Sequence, residues 1–548
     1  MLTTLTTLTI GSNTYSPLPG ESWGDIVKRI GFTGALCVSV GGRPVSLNDK
    51  AMGEARVLTY NDEEGRRVYE RSLRFVMLMA FARVAPHARV RIENTIGNGV
   101  LSTLSGEKVS EALISRVEAE MRKIVSEALP FKLSVVSKQE AIDIFASMGR
   151  KDTADLLKER QSDTFHIYEC GGMKDYFYGM MAPDTSYVAV FALTALSNAF
   201  VLRLPEFDNP NNVSPLKRLP RLLETFTESN SWAKILEVSN ARDLNRLTES
   251  GELNEFIRVN EALMDMKINL IAEQIISKGS RLVTVAGPSS SGKTTFTNRL
   301  AIALRVHGVK PVKLSLDDYY LDRDKAPLDE NGEPDLECVD ALDTPLINEQ
   351  LKQILAGEEV LMPTFDFKTG KRSPLTHRVK VDTASPVLIE GIHGLNERLT
   401  SSIPSKDKFK IYISALTNLN LDDHNRIHTT DARLVRRLVR DAAFRGTPVE
   451  KTLSMWASVR RGEEKYIFPF QENADAMINS CLVYELAIMK KYIYTQLKAI
   501  PFDSPNYALA RRLVKFLNYI KSSDAEDEVP LNSLLREFIG GSCFYKDV

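Results

Sequence analysis

At 548 residues the chain exceeds one ordinary domain, and about three are expected. Hydrophobic residues at 43% and charged residues at 26% describe a soluble globular protein. Seventy basic against 71 acidic side chains give a formal charge of −1, which excludes a globally basic surface, so no nucleic-acid partner is expected, tRNA remaining open. The five cysteines, at 37, 170, 338, 481 and 543, form no C-x-x-C pair, so reduced thiols and a cytoplasmic setting are expected. The N-terminus lacks the charged start and apolar core of a signal peptide. The most apolar stretch, 187–204, contains Ser, Asn and Arg, so no membrane span is expected.

In chain order, residues 2–10 alternate as a strand, and 23–30 have helical spacing behind Ser22, a residue suited to an N-cap. Residues 35–40 and 43–47 flank Gly41-Gly42 as a hairpin, and 56–60 close the module. The order and length resemble the ubiquitin-like TGS module of threonyl-tRNA synthetases. An amphipathic helix follows at 68–82, then 86–91, Ile92-Glu93-Asn94 and Gly97-Asn98-Gly99. A helix through Met121, Leu129-Pro130-Phe131 and a helix from 137 to 145 complete the run. This order resembles the second, editing-related domain of the same synthetases. In that family H-x-x-x-H on the first helix and a later C-x-x-x-H supply four metal-type ligands. Here those positions are Arg71, Phe75, Cys170 and Lys174. Phe cannot ligate and two cations repel a metal, so no metal at Cys170 and no aminoacyl-ester hydrolysis are expected. Cys170 is read as a buried thiol.

Residues 208–215, DNPNNVSP, are the best linker in the chain. Helical runs follow at 220–226, 233–238 and 253–276. The last carries an apolar stripe at 256, 257, 263, 264, 268, 271 and 275, read as packing between the two halves.

The stretch 281–295, RLVTVAGPSSSGKTT, is G-x-x-x-x-G-K-[ST] with an apolar run before it and a helical period after it. Gly287, Pro288, Ser289, Ser290, Ser291, Gly292, Lys293, Thr294 and Thr295 form the expected phosphate loop. Its backbone N–H groups and the following helix N-terminus favour phosphate oxygens. Lys293 reaches the terminal phosphates and the Thr294 hydroxyl suits Mg²⁺, so ATP and Mg²⁺ are the expected cofactors. From here strand and helix patterns alternate, which predicts a parallel sheet flanked by helices, with ligands at the strand carboxyl ends. The strand at 312–316 ends in Asp317-Asp318-Tyr319-Tyr320. A carboxylate there either accepts a proton from a substrate hydroxyl or caps a turn. Residues 386–392 are a second buried strand, ending in Glu390, a partner for Mg²⁺ or a plain surface charge. Arg433, Arg436, Arg437 and Arg440 recur at helical steps, with Arg445 beyond. The row suits a lid clamping phosphoryl oxygens or a solvated, salt-bridged helix, and the phosphate loop upstream favours the lid.

Together with VDALD at 339–343, PTFDF at 363–367 and NADAMINS at 473–480, these elements resemble the uridine kinase and phosphoribulokinase family over about 200 residues. The resemblance implies Asp317 as general base, Thr294 and Glu390 as Mg²⁺ groups, Tyr320, Glu337, Asp340 and Phe365 around a nucleoside acceptor, and Arg437, Arg440 and Arg445 closing over the phosphates. The chain departs from uridine-cytidine kinases at several acceptor positions. A Tyr is replaced by Phe365, a base-reading His by Gly370, a ribose-binding Asp by Glu337 and an Arg after the lid helix by Thr447. Lys368, Lys371, Arg372, His377 and Arg378 add positive charge nearby, either for a phosphorylated acceptor or as an ordinary basic loop.

The expected architecture is an α/β P-loop kinase preceded by a small ubiquitin-like β-grasp module and an α+β synthetase editing-like domain. The expected divisions are 1–62, 63–207, a helical connection 208–278, the kinase 279–500, and a tail 501–548 docked on it. The tail reads as helices at 483–497 and 507–520 and an amphipathic helix ending at Gly540-Gly541. The expected activity is phosphorylation of a nucleoside 5′-hydroxyl, uridine or cytidine. A kinase for a sugar phosphate, or an ATP-sensing tRNA- or partner-binding regulator, are the alternatives, and the oligomeric state is open, a homo-oligomer included.

Overall fold

The structure, a computed structural model, describes residues 6–160, 162–330, 332–366, 369–373, 376–382 and 385–545. The sequence-predicted residues 2–5 of the first strand, Phe367 and Lys368 lie outside the described residues.

The N-terminal module is a five-stranded sheet in the order Asn13–Tyr15, Thr7–Ile10, Glu54–Leu58, Cys37–Val40, Arg43–Val45. Its first strand runs parallel to its last, as a β-grasp requires. The helix Trp23–Arg29 is set by a capping box: the Ser22 hydroxyl accepts from Asp25 N, and the Asp25 carboxylate accepts from Ser22 N. Trp23, Ile26 and Val27 then fill the space under the sheet.

The next region is built around the helix Glu63–Val84, most of whose residues from Val68 to Phe81 are buried. It packs beside the helix Glu111–Ser126, whose Ser110 caps Leu113 N. A four-stranded sheet contains the hairpin Arg89–Ile96 and Gly99–Ser105. A three-stranded sheet is centred on Thr164–Cys170.

The C-terminal region is a five-stranded, all-parallel sheet. Its order is Val312–Ser315, Val387–Glu390, Leu282–Ala286, Lys408–Ser414, Ala476–Asn479. The central strands are buried end to end, as parallel strands covered on both faces must be. Register places Ser315 beside Glu390, and Glu390 beside Val285. Three consecutive carboxyl ends therefore deliver the phosphate loop, Glu390 and the Asp317 turn to one edge.

Two helical expectations are corrected. Residues 233–238 are not a helix of their own: the first helix runs on to Ile235, the backbone turns at Glu237 (φ +55°), and a new helix spans Ala241–Ser250. Its signal was in the sequence as Asn240 and Asp243, which form a second capping box. The last amphipathic helix is a single turn, Arg536–Ile539; ahead of it the Ser533 hydroxyl accepts from Leu535 N and donates to Glu261, which holds the chain in a turn there. Its apolar residues Leu534, Leu535 and Phe538 are nonetheless fully buried. The long helix Leu253–Lys278 lies against the phosphate-loop helix Lys293–Val306, held by buried Arg299 bonding Glu261 and Asp265 at 3.2 and 2.7 Å.

One hydrophobic cluster runs from Ala141 to Ile539, so the synthetase-like region and the parallel-sheet region share a core. Polar contacts add to it: Asn94 donates to the Thr417 carbonyl (2.9 Å), Asn420 to the Ile92 carbonyl (2.7 Å), and Tyr176 bonds Asp422. Among the described residues no helix is long and apolar enough to cross a membrane.

Candidate functional site

The phosphate loop is shaped by close approach. A Cβ on Gly287 would lie 2.0 Å from the Ile413 carbonyl oxygen, so only glycine lets the loop leave the strand there. Gly292 takes φ +83° at the cap of the helix Lys293–Val306, and Ser290 is held at φ +58°, a costly value for a residue with a side chain. The loop carbonyls are tied outward. The Ser289 oxygen accepts from Arg433 Nε (2.9 Å), Ser290 from Arg436 Nη1 (3.3 Å) and Ser291 from the Ser480 hydroxyl (2.6 Å). With the carbonyls fixed outward, the loop is pre-organised as an anion cradle. Lys293 Nζ folds back on the Gly287 and Pro288 carbonyls at 3.0 and 3.2 Å.

These bonds correct the expectation of one arginine row facing phosphate. Arg433 and Arg436 are fully buried and ion-paired to Glu463 and Glu485. They hold the loop backbone from behind. The other three are gathered by one buried carboxylate, Asp441: Arg440 at 2.9 Å, Arg437 at 3.3 Å and Arg445 at 3.7 Å. Arg437 also donates to the Ser289 hydroxyl at 3.0 Å. The helix Thr429–Phe444 thus has an anchoring side and a site side, one residue apart in sequence.

Across the loop stand two carboxylates. The Thr294 hydroxyl donates to Glu390 Oε1 at 3.2 Å, and Ser315 Oγ lies 3.5 Å from the same oxygen. Burial raises the Glu390 carboxyl above its usual range, and the nearby Asp317 charge adds to the rise. Asp317 is raised likewise, by burial first, with Lys293, Arg440 and Arg445 pulling it back. Its backbone is placed by Ser315 Oγ, which accepts from Asp317 N. Two crowded acids beside a hydroxyl are hard oxygen donors short of a cation, which fits Mg²⁺.

Tyr320, Phe365 and Glu337 form a wall beyond Asp317. The Tyr320 and Phe365 ring centres are 5.6 Å apart, and the Tyr320 hydroxyl donates to the Leu336 carbonyl. Burial pushes the Glu337 carboxyl up to about 7, with Glu463 adding repulsion and Arg437 and Lys293 opposing it. A Cβ on Gly462 would meet the Glu337 side chain at 2.4 Å, so that glycine makes room for it. Asp340 is not brought to this wall: it is half exposed and paired to Arg398 at 2.5 Å. Arg372 is committed to Asp343 and Arg378 to Glu359, each at 2.9 Å, so neither is a free cation for an acceptor phosphate.

Sequence reasoning missed four groups. Glu463 and Glu485 lie on distant helices with no motif around them. His393, three residues past Glu390, is buried with its ring 6.4 Å from that of Tyr466, and burial pushes its pKa down to about 4. Glu537, on the tail's single helical turn, accepts from Thr295 N (3.3 Å) and the Thr295 hydroxyl (2.8 Å). The Tyr545 hydroxyl also lies 3.1 Å from that hydroxyl. A tail carboxylate therefore occupies the amide end of the phosphate-loop helix.

In the N-terminal half, Phe75 is packed against Phe131 and Phe177. Cys170 is buried, with its thiol pushed up to about 12 by burial.

Residues 282–487 match the model of the phosphoribulokinase / uridine kinase family. A uridine kinase of Staphylococcus aureus is 30% identical over 202 residues, which are 37% of this chain and 88% of the relative. A threonine–tRNA ligase of Desulfosudis oleivorans is 29% identical over 243 residues, 44% of this chain. The chain spans 37% of that ligase's length. A solved structure described as a possible uridine kinase from Bacillus stearothermophilus aligns with 39% of this chain and 98% of its own, at 18% identity and a TM-score of 0.28.

Proposed function

The chain belongs to the phosphoribulokinase / uridine kinase family, and from that premise we propose that it is an ATP- and Mg²⁺-dependent kinase acting on a small-molecule hydroxyl, the 5′-hydroxyl of uridine or cytidine first. The observation that carries the reading is the strand register that sets the phosphate loop, Glu390 and Asp317 on one sheet edge.

In this reading the loop amides and Lys293 hold the donor phosphates, Lys293 exchanging its two loop carbonyls for phosphate oxygens. Thr294 Oγ1 and Glu390 Oε1 would hold Mg²⁺, which neutralises phosphate charge when bound. Asp317 accepts the proton of the attacking hydroxyl, a task its raised pKa suits. Arg437, Arg440 and Arg445, pre-oriented by Asp441, stabilise charge on the transferring group. Tyr320, Phe365 and Glu337 bound the acceptor. With Arg372 and Arg378 already neutralised, a nucleoside is favoured over a sugar phosphate.

The test is a phosphoryl-transfer screen of nucleosides and sugar phosphates, with Lys293→Ala as control. Turnover of uridine or cytidine that disappears in the control supports the reading. Turnover of a sugar phosphate alone, or of no acceptor, removes the nucleoside assignment.

ATP entering the loop must displace Glu537 from Thr295, because two anions cannot share one amide. Glu537→Gln is therefore expected to lower KM for ATP roughly tenfold, about 1.4 kcal/mol, at unchanged kcat. An unchanged or raised KM in steady-state kinetics makes Glu537 a helix cap only.

We also read residues 63–207 as unable to hydrolyse aminoacyl esters, since Arg71, Phe75 and Lys174 replace ligand-type residues. Deacylation of a mischarged tRNA by the full chain contradicts this.

A further inference from the structure

A cavity of ≈ 60 Å³ lies between the helix Glu63–Val84 and the start of the helix Thr429–Phe444. It is about four times what a single water requires on the same measure. Five arginines line it, Arg67, Arg71, Arg74, Arg426 and Arg512, against two carboxylates, Glu70 and Asp431.

The charges do not balance. Arg67 is met by Glu63 at 2.7 Å and Glu64 at 3.7 Å. Arg512 is met by Asp431 at 2.9 Å and by Glu63 and Glu64 at 3.7 Å. Arg74 and Arg426 share one acid, Glu70, at 3.2 and 3.8 Å. Arg71 has no carboxylate within 4 Å among the described residues; its Nε donates to the Met180 carbonyl. Five guanidinium charges thus face four carboxylates, and one is left over, nearest Arg71. The buried Nε atoms of Arg74 and Arg426 have no hydrogen-bond partner, although both residues are at least nine-tenths buried. An unpaired buried charge is costly, and a fold keeps one where a counter-ion arrives.

We infer that this cavity binds a phosphate dianion, free or carried by a small metabolite, through Arg71, Arg74 and Arg426. Planar guanidinium forks suit tetrahedral oxyanions, and a phosphate near neutral pH carries enough negative charge to offset the one left over. Burial pushes Arg71 and Arg426 down to about 10, with Glu64 and Glu70 opposing and neighbouring arginines adding, and it lowers His428 far below its usual value, neighbouring arginines adding again. The site joins the two halves of the molecule. Arg71 and Arg74 come from the N-terminal helix, Arg426 and Asp431 from the root of the helix that carries Arg437 and Arg440.

The phosphate loop also attracts phosphate, so the test uses the full chain with Lys293→Ala as background. Inorganic phosphate at matched ionic strength is expected to raise the melting temperature by roughly 2–5 °C. Isothermal titration should give one site per chain. Adding Arg71→Gln should abolish that shift and, because it removes an uncompensated charge, raise the melting temperature in chloride. Arg426→Gln should likewise abolish the shift. Glycerol 3-phosphate binding at least tenfold tighter than phosphate identifies a metabolite as the source, and weaker binding identifies the free ion. The inference is overturned if Lys293→Ala alone removes the phosphate shift. It is equally overturned if either added variant retains it, or if both lower the melting temperature in chloride as purely structural arginines would.

Discussion

Asp317→Asn is expected to lower kcat by roughly 10²–10⁴-fold, the usual contribution of a positioned general base. The change keeps the side chain's shape, and the backbone hold from Ser315 Oγ is untouched, so KM for ATP should stay close to that of the parent. Asn cannot take the proton of the attacking hydroxyl. The pH profile gives an independent reading. Burial raises the Asp317 carboxyl, and proximity to Asp318 adds to it, so the group ionises above the ordinary carboxylate range. The base works only when ionised. The parent's kcat should therefore rise with pH through that raised value and level off above it. In the Asn variant the limb due to this group should vanish. Steady-state kinetics across pH checks both points, and an Asn variant with full turnover overturns the base assignment.

Glu485→Ala is expected to destabilise the protein by about 3–5 kcal/mol, because it strands a buried guanidinium. Arg436 is fully buried, and its Nε donates to both Glu485 oxygens at 3.1 and 3.2 Å. Leu482 N loses an acceptor as well. The double change Glu485→Leu with Arg436→Met should recover most of that stability, since a buried ion pair replaced by apolar groups of similar volume is often neutral or better. Activity should not recover with it. Arg436 also bonds the Ser290 and Ser480 carbonyls, so without it the strained loop loses an anchor. Urea unfolding and kinase rates measured on the three variants separate the two roles. A Glu485→Ala protein as stable as the parent would show that water reaches Arg436.

Much of the geometry around the glycine loop was legible because it is local. A glycine that must approach Ile413, a lysine and a threonine at fixed offsets, and a helix directly after them all sit within one short segment, where spacing alone carries the geometry. Glu390 and Asp317 could be picked out because each ends an apolar strand. The capping boxes at Ser22 and Asn240 are equally local, and the second shows that a local signal can be passed over when a weak apolar period beside it is followed instead. The acceptor side was less legible. Asp340 sits in a motif, yet it is paired outward to Arg398, nearly 60 residues away in sequence. Two of the basic loop's residues, Arg372 and Arg378, are taken up in ion pairs with Asp343 and Glu359, neither of which its own sequence indicates.

The amino-acid sequence by itself determined the strand–loop–helix of the phosphate site, the parallel order of a kinase sheet and the synthetase-like order of the N-terminal half. These depend on backbone conformation and on apolar period, which neighbours in sequence decide. Only the tertiary structure decided which arginines of one helix turn inward to Glu463 and Glu485 and which gather on Asp441. It alone decided that the tail returns Glu537 to the loop, and that Arg71, Arg74 and Arg426 meet across two distant segments with too few acids between them. The reason is that a charge's role is set by what lies within a few ångströms of it, where Coulomb energy is large and water is excluded. Those neighbours are brought by folding, from as far as 459 residues along the chain.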